Sequence, residues 1–484
     1  MDKNLKALQP AAVWKYFSEI TQIPRPSHHE ELIRKYIVDF AVAHNLEHFV
    51  DGANNVYIRK PATPGMENRK GVVLQAHLDM VPQKNNDKIF DFEKDPIEAY
   101  VDGQWVTANG TTLGADNGIG VAAILAVLAD GSAPHGEIEG LFTATEETGM
   151  DGAFGLKAGL IKGDILLNLD SETEGELYVG CAGGLDLNAT LEYSAEAAPA
   201  AGYTPVTLTV KGLKGGHSGI QIGCQRGNAN RLLFRFLNAA KQEFLLSSVD
   251  GGGLRNAIPR EAVATLLVKN AGAFAAEAAE YEKTIVAEFA GIEDSISVTV
   301  ETCAEAPATV IPAEAAKRLT KAVIGVADGV IRMSTAMEGL VQTSTNLARV
   351  VSDGKAVRLQ CLLRSSMNSE KWALAEAMSA VLELAGAKVE LTGAYDGWNP
   401  DMESPVLHAM KASYKALFGT EPAVTAIHAG LECGIIGGIY PNLDMISFGP
   451  TICYPHSPDE KVNIESVGKF WAFLLDTLKN APAK

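Results

Sequence analysis

The sequence has no run of roughly 18 apolar residues, the length that a membrane-spanning helix needs. Its first residues, MDKNLKALQPAAVWKYF, contain no apolar core of the secretory-leader kind. Both absences lead to the expectation of a cytoplasmic protein with no membrane partner. Positive charge is in deficit: 41 Lys and Arg stand against 59 Asp and Glu, a net charge of −18. That balance excludes the basic footprint of a nonspecific nucleic-acid binder. Cysteine is sparse too. Cys181, Cys224, Cys303, Cys361, Cys433 and Cys453 are scattered, with no CxxC or CxxH pair. In a chain without a leader they read as reduced thiols. Low-complexity sequence is missing, apart from an alanine-rich stretch at 271–280.

What is present is an ordinary globular composition, 47% hydrophobic and 21% charged, in a chain of 484 residues. That length exceeds what one core organises, so two or three domains are expected. Residues 10–20 and 29–44 have helical periodicity, with Ile33, Tyr36, Ile37 and Phe40 on one face. Between them, Ile23-Pro24-Arg25-Pro26-Ser27 reads as a stiff connector. Strands are predicted at 56–59, 72–76, 141–145 and 165–169, helices at 119–128 and 153–160, and a hairpin within 90–107. This alternation predicts an α/β fold, a mostly parallel sheet flanked by helices. The pattern changes near Gly183-Gly184. Residues 205–211 alternate apolar and polar, as a half-exposed antiparallel strand does. Helices at 228–242, 273–290, 312–327 and 370–385 are then interspersed with strands at 261–268, 294–303, 345–351, 355–363 and 387–392. After Pro400 come helix 404–417, strand 423–427, a Gly-rich turn at 430–438, strand 443–448 and helix 464–479. The expected layout is one α/β domain made of residues 1–185 and 401–484, interrupted by an inserted α+β domain of antiparallel sheet at 186–400.

The polar residues that carry chemistry gather where apolar runs stop. The stretch GVVLQAHLDMVPQ, residues 71–83, runs inward through Val72-Val73-Leu74 and reaches His77 and Asp79. On an extended strand, i and i+2 share a side, so a carboxylate stands next to an imidazole and can fix its tautomer. Asp116, Glu146-Glu147, Asp170 and His456 occupy similar boundaries. In open α/β sheets, ligands bind outside the carboxyl ends of the strands. Histidines and carboxylates without cysteine suit a divalent metal such as Zn²⁺, with Mn²⁺ or Co²⁺ as alternatives. Three carboxylates and a hydroxide balance two such ions, which can together activate a water and polarise a substrate oxygen. Within Glu146-Glu147, one residue can ligate while the other acts as general base.

His77-Leu-Asp79, Gly114-Ala-Asp116-Asn117-Gly118, Glu146-Glu147-Thr-Gly149, Asp170 and Tyr454-Pro-His456-Ser resemble the co-catalytic zinc peptidase and aminoacylase family. The resemblance covers essentially the whole chain. Gln75-Ala-His-Leu-Asp-Met-Val-Pro, Leu113-Gly-Ala-Asp-Asn-Gly-Ile-Gly and Ile427-His-Ala-Gly-Leu-Glu-Cys-Gly are similar to its bacterial aminoacyl-histidine dipeptidases, which cleave β-alanyl-histidine. The resemblance implies that Asp116 bridges two metals, that His77 and Asp170 complete one site, and that Glu147 and His456 complete the other. It makes Glu146 the general base, with Asp79 orienting His77. It also implies a cis peptide after Asp116, and a lid domain whose His217, in Gly215-Gly216-His217-Ser218, donates to the tetrahedral oxyanion. Asn256 and Arg364 are candidates for gripping the substrate's C-terminal carboxylate. Gly430 and Glu432 are candidates for the N-terminal amino pocket. The substrate expected is a dipeptide, and the assembly a homodimer through the lid.

One competing motif is Gly118-Ile-Gly120-Val-Ala-Ala123, which has the GxGxxA form of a dinucleotide site. The segment before it is too short and polar for the strand that such a site requires. Its glycines are expected instead to let the helix start close beneath Asp116. A related aminoacylase or carboxypeptidase is the nearest functional alternative. A non-catalytic metal-binding protein is the distant one, and the presence of both glutamates speaks against it.

Overall fold

Strand Val72–His77 is buried at every position, which is why its sequence is an apolar run broken only by Gln75. In the computed structural model, which describes residues 4–484, it lies inside an eight-stranded sheet. Ile138–Thr143, Val72–His77, Ile165–Asn168 and Asp444–Ser447 run parallel across the middle. Outside them the pairing is antiparallel: Val56–Lys60 joins Ile138–Thr143, Glu47–Val50 joins Val56–Lys60, and Glu176–Cys181 joins Asp444–Ser447. The sheet is thus mixed, with parallel order at its centre. The chain divides into two units by its contacts. This sheet's unit holds residues up to Gly180, Trp398–Ala426 and Leu431–Lys484.

Three local differences bear on function. The strand expected at 141–145 is Ile138–Thr143, so Glu146-Glu147 stand in the turn beyond it. Helix Ala115–Ala129 begins earlier than expected and includes Asp116 and Asn117 in non-helical conformations. The Gly-rich stretch expected as a turn forms helix Glu432–Ile439. Its glycines allow close packing: a Cβ on Gly437 would stand 2.7 Å from Met445 Cε. Gly120, in the dinucleotide-like motif, also has a packing reason. A Cβ there would meet Asn117 Oδ1 at 1.9 Å and the Leu169 carbonyl oxygen at 2.8 Å.

The second unit, Cys181–Gly397 with Ile427–Gly430, is built on a nine-stranded sheet. Its registers are antiparallel throughout. Helices Ala229–Ala239, Ala271–Glu288, Ala313–Gly325 and Asn368–Leu384 share one apolar core with it, including Leu208, Phe234, Phe274, Leu319 and Leu382. Three strands of this sheet escaped the sequence reading, Gly183–Glu192, Phe244–Gly251 and Gly329–Met333. The second carries a register shift between Leu246 and Ser248, which breaks the alternation that would reveal it. Among the described residues no disulfide forms, and no helix is long and apolar enough to cross a membrane.

Candidate metal centre

In the first unit, the strands and one helix deliver six of the expected side chains to one place. His77 ends its strand, Asp116 lies at the irregular start of helix Ala115–Ala129, and Glu146-Glu147 follow Ile138–Thr143. Asp170 follows Ile165–Asn168, and His456 lies on the loop between Ile452–Cys453 and Lys461–Asn463. Three sets of potential ligand atoms form, each within 4.8 Å: His77/Asp116/Asp170, His77/Glu146/Glu147 and Asp116/Glu147/His456. Asp116 is divided between two of them. Its Oδ1 lies 3.1 Å from His77 Nε2 and its Oδ2 3.4 Å from His456 Nε2. Asp170 Oδ1 stands 3.3 Å from the same His77 nitrogen, and Glu147 Oε2 stands 2.9 Å from His456 Nε2. The Asp116–Asn117 peptide is cis, and Asn117 Nδ2 donates to the Leu169 carbonyl and to Asp170.

Asp79 is fully buried and tied on both oxygens. Oδ1 lies 3.3 Å from His77 Nδ1 and accepts the Glu146 N–H at 2.9 Å. Oδ2 accepts Ser27 Oγ at 2.8 Å and the Glu147 N–H at 3.2 Å. With Nδ1 directed to Asp79, His77 Nε2 is left as the nitrogen that can ligate.

The electrostatics are those of a site crowded with acid. Burial disfavours a charge on His77, yet Asp170 and Asp116 raise its pKa well above the usual value. Hydrogen bonds to Asp116 and Glu147 push His456 up to about 11. Burial lifts Asp170 to about 6 against the pull of His77. Burial, then Asp170, Glu432 and Glu147, also hold Glu146 well above the usual carboxylate range. Glu147 Oε1 is buried with no hydrogen-bond partner among the described residues. Converging carboxylates, two imidazoles, no thiolate and an orphaned buried oxygen fit a pair of divalent cations.

Some residues that shape the site were not legible in the sequence. Arg25, expected only in a stiff connector, is buried and donates to the Leu78, Asp79 and Gly114 carbonyls. Glu460 is buried against the backbone of 113–116. Glu432, by contrast, is singled out by the sequence for the amino pocket; expected in a turn, it opens a helix and is 2% exposed. Its Oε2 accepts Gln75 Nε2 at 2.6 Å and Thr143 Oγ1 at 2.8 Å, and burial raises its carboxyl to about 7.

The other expected residues lie in the second unit. His217 Nδ1 accepts the N–H groups of Gly219 at 3.2 Å and Ile220 at 3.1 Å. A ring nitrogen that accepts these bonds carries no proton, so neutral His217 presents Nε2–H. Burial and then Arg364 lower its pKa, which favours that neutral form. Arg364 is 5% exposed, its Nη1 meets Tyr395 Oη at 3.5 Å, and its Nε has no partner among the described residues. His217 and Arg364 converge on Gly219 with the His428 backbone. A Cβ there would stand 2.2 Å from the His428 carbonyl oxygen, 3.1 Å from His217 Cε1 and 3.2 Å from Arg364 Nε. His428 Nε2 pairs with Ser344 Oγ at 2.7 Å. Asn256 is exposed, and its carbonyl accepts the Ser218 N–H at 2.8 Å. Gly430 packs against Tyr395, whose Oη would be 2.9 Å from a Cβ there.

A profile of peptidase family M20/M25/M40 matches residues 73–480. The chain is 49% identical to the cytosol non-specific dipeptidase of Escherichia coli, over 99% of this chain and 100% of that relative. Its structure superposes on the aminoacylhistidine dipeptidase of Vibrio alginolyticus with a TM-score of 0.95, at 48% identity and 99% coverage of both chains. An aminopeptidase from Bacillus cereus shares the fold at a TM-score of 0.59 and 15% identity, covering 98% of this chain and 99% of the other. The chain belongs to peptidase family M20/M25/M40 and is a metal-dependent peptide hydrolase.

Proposed function

We propose that the chain is a two-metal dipeptidase whose substrates include Xaa-His dipeptides such as β-alanyl-histidine. One observation carries the reading: Asp116 offers one oxygen to His77 and the other to His456, with Glu146 close to His77 and Glu147. The names of the Escherichia coli and Vibrio alginolyticus relatives support a dipeptide substrate, and the second supports the Xaa-His class.

In this reading His77 and Asp170 would hold one ion, Glu147 and His456 would hold the other, and Asp116 would serve both. The donor set suits Zn²⁺, and Mn²⁺ or Co²⁺ would also be accepted. Bound there, such ions would polarise a carbonyl and acidify a water. Glu146 would take a proton from the attacking water and return it to the leaving amine. Asp79 keeps His77 in its ligating tautomer and fixes the backbone of Glu146 and Glu147. His217 donates Nε2–H to the oxyanion, a role that its tautomer supports. Arg364, whose Nε has no partner among the described residues, grips the C-terminal carboxylate, and exposed Asn256 assists it. Gly430 and Glu432 belong to the side that receives the free amino group. The α+β unit serves as the lid. A cytoplasmic homodimer through that unit completes the reading, supported by exposed Ile331 and Met333 on strand Gly329–Met333.

The test is a substrate panel on metal-depleted protein resupplied with Zn²⁺, Mn²⁺ or Co²⁺. Free dipeptides, β-alanyl-histidine among them, should be cleaved in preference to N-acetyl amino acids. The reverse preference would make the chain an aminoacylase. Sedimentation of the intact chain as a monomer would remove the homodimer.

A further inference from the structure

His456 and Glu460 stand four positions apart on one loop, closed by a Glu460 N–H bond to the Ser457 carbonyl at 3.0 Å. The two side chains do different things. Among the described residues, His456, 53% exposed, meets Asp116 and Glu147. Glu460 is 2% exposed and receives four backbone N–H groups. Leu113 and Gly114 donate to its Oε2 at 2.7 and 2.9 Å; Ala115 and Asp116 donate to Oε1 at 2.7 and 3.2 Å. Such N–H groups, at a helix start, have no carbonyl partner within the helix.

From the other side, Arg25 donates to the Gly114 carbonyl and, through Nη1, to the Leu78 and Asp79 carbonyls at 2.8 and 2.6 Å. Gly114 is therefore held by the Glu460 carboxyl group at its N–H and by the Arg25 guanidinium at its C=O. Its φ of +71 and the 2.6 Å that would separate a Cβ from Arg25 Nη2 require glycine there.

The two prospective metal groups thus rest on unequal foundations. His77 is 1% exposed, belongs to a central strand and is braced by Asp79. His456 sits on an exposed loop whose buried anchor is Glu460. We propose that Glu460 is a positioning residue: it docks the loop carrying His456 onto the segment carrying Asp116. It thereby sets the affinity of the Asp116/Glu147/His456 group for its ion, with little effect on the His77/Asp116/Asp170 group. This inference rests on the two-metal reading.

Glu460→Gln keeps the size but turns an amide N–H₂ toward two backbone donors. The full-length chain, stripped of metal, is titrated with Co²⁺ by equilibrium dialysis, alongside wild type and the metal-free melting temperature of each. Wild type should take up two ions. Glu460→Gln should keep the tighter ion within about threefold and lose about 10–100-fold in affinity for the weaker one. Retention of both ions at wild-type affinity overturns the inference. Equal weakening of both also overturns it, because that is the mark of a general structural staple. If the Gln variant does not fold, Glu460→Asp, which keeps the charge and shortens the reach, is read by the same criteria. A wild-type chain that takes up a single ion overturns the two-metal reading itself, and this inference with it.

Discussion

Asp79 accepts the backbone N–H of Glu146 at 2.9 Å while its same oxygen lies 3.3 Å from His77 Nδ1. One buried carboxylate thus orients a prospective ligand and fixes the turn that carries the prospective base. Asp79→Asn keeps an acceptor but places an N–H₂ against one of these partners. Metal content should fall little, whereas kcat should fall by about 10–100-fold. His77→Ala should lose metal outright. Metal analysis beside initial rates separates the two; equal metal loss in both variants would show that this division of labour is wrong.

His217 presents Nε2–H because its Nδ1 is already an acceptor. Removing an oxyanion donor typically lowers kcat by about 10²–10³. His217→Ala should show a loss of that size with unchanged metal content. A change confined to KM would assign His217 to ground-state binding instead.

Arg364 has a buried guanidinium whose Nε has no partner among the described residues. Arg364→Met should raise KM for free dipeptides and leave hydrolysis of C-terminally amidated dipeptides nearly unchanged. Equal effects on both substrates would mean that Arg364 serves packing rather than the carboxylate.

His428 gives the fold a defined pH response. Burial, then Arg364, hold its pKa down at about 3 in the folded chain. The unfolded chain takes up that proton near pH 6.5. Between those values the unfolded state binds more protons, so this group's stability contribution is complete above about pH 6.5 and is lost as pH falls toward 3. The slope is about 1.4 kcal/mol per pH unit below about pH 6. Urea unfolding of wild type and His428→Gln at about pH 7 and pH 5 checks this. The variant should lose less stability on acidification; equal losses would assign the response to other groups.

The reach of the sequence differed by the kind of interaction. His77, Asp116, Glu146, Glu147, Asp170 and His456 stand where apolar runs end, so the period of the strands pointed to one sheet edge. The roles of Arg25 and Glu460 left no such trace. They bind backbone groups, and a backbone N–H or C=O looks the same in every residue. Glu460 is also 344 positions from Asp116. Helix Glu432–Ile439 was hidden because glycine disfavours helices, while close packing against Met445 admits it here. Phe244–Gly251 was hidden by its register shift. The antiparallel pairing outside the parallel strands depends on which strands meet, which local periodicity does not encode.

The most direct test is to load metal-depleted wild type and Glu146→Gln with Zn²⁺, count the bound ions, and follow hydrolysis of β-alanyl-histidine. Two ions per chain are expected in both proteins. Glu146→Gln should lose about 10²–10⁴-fold or more in turnover, the size of a lost general base. Wild-type turnover by Glu146→Gln, or full hydrolysis by the metal-free chain, would contradict the account.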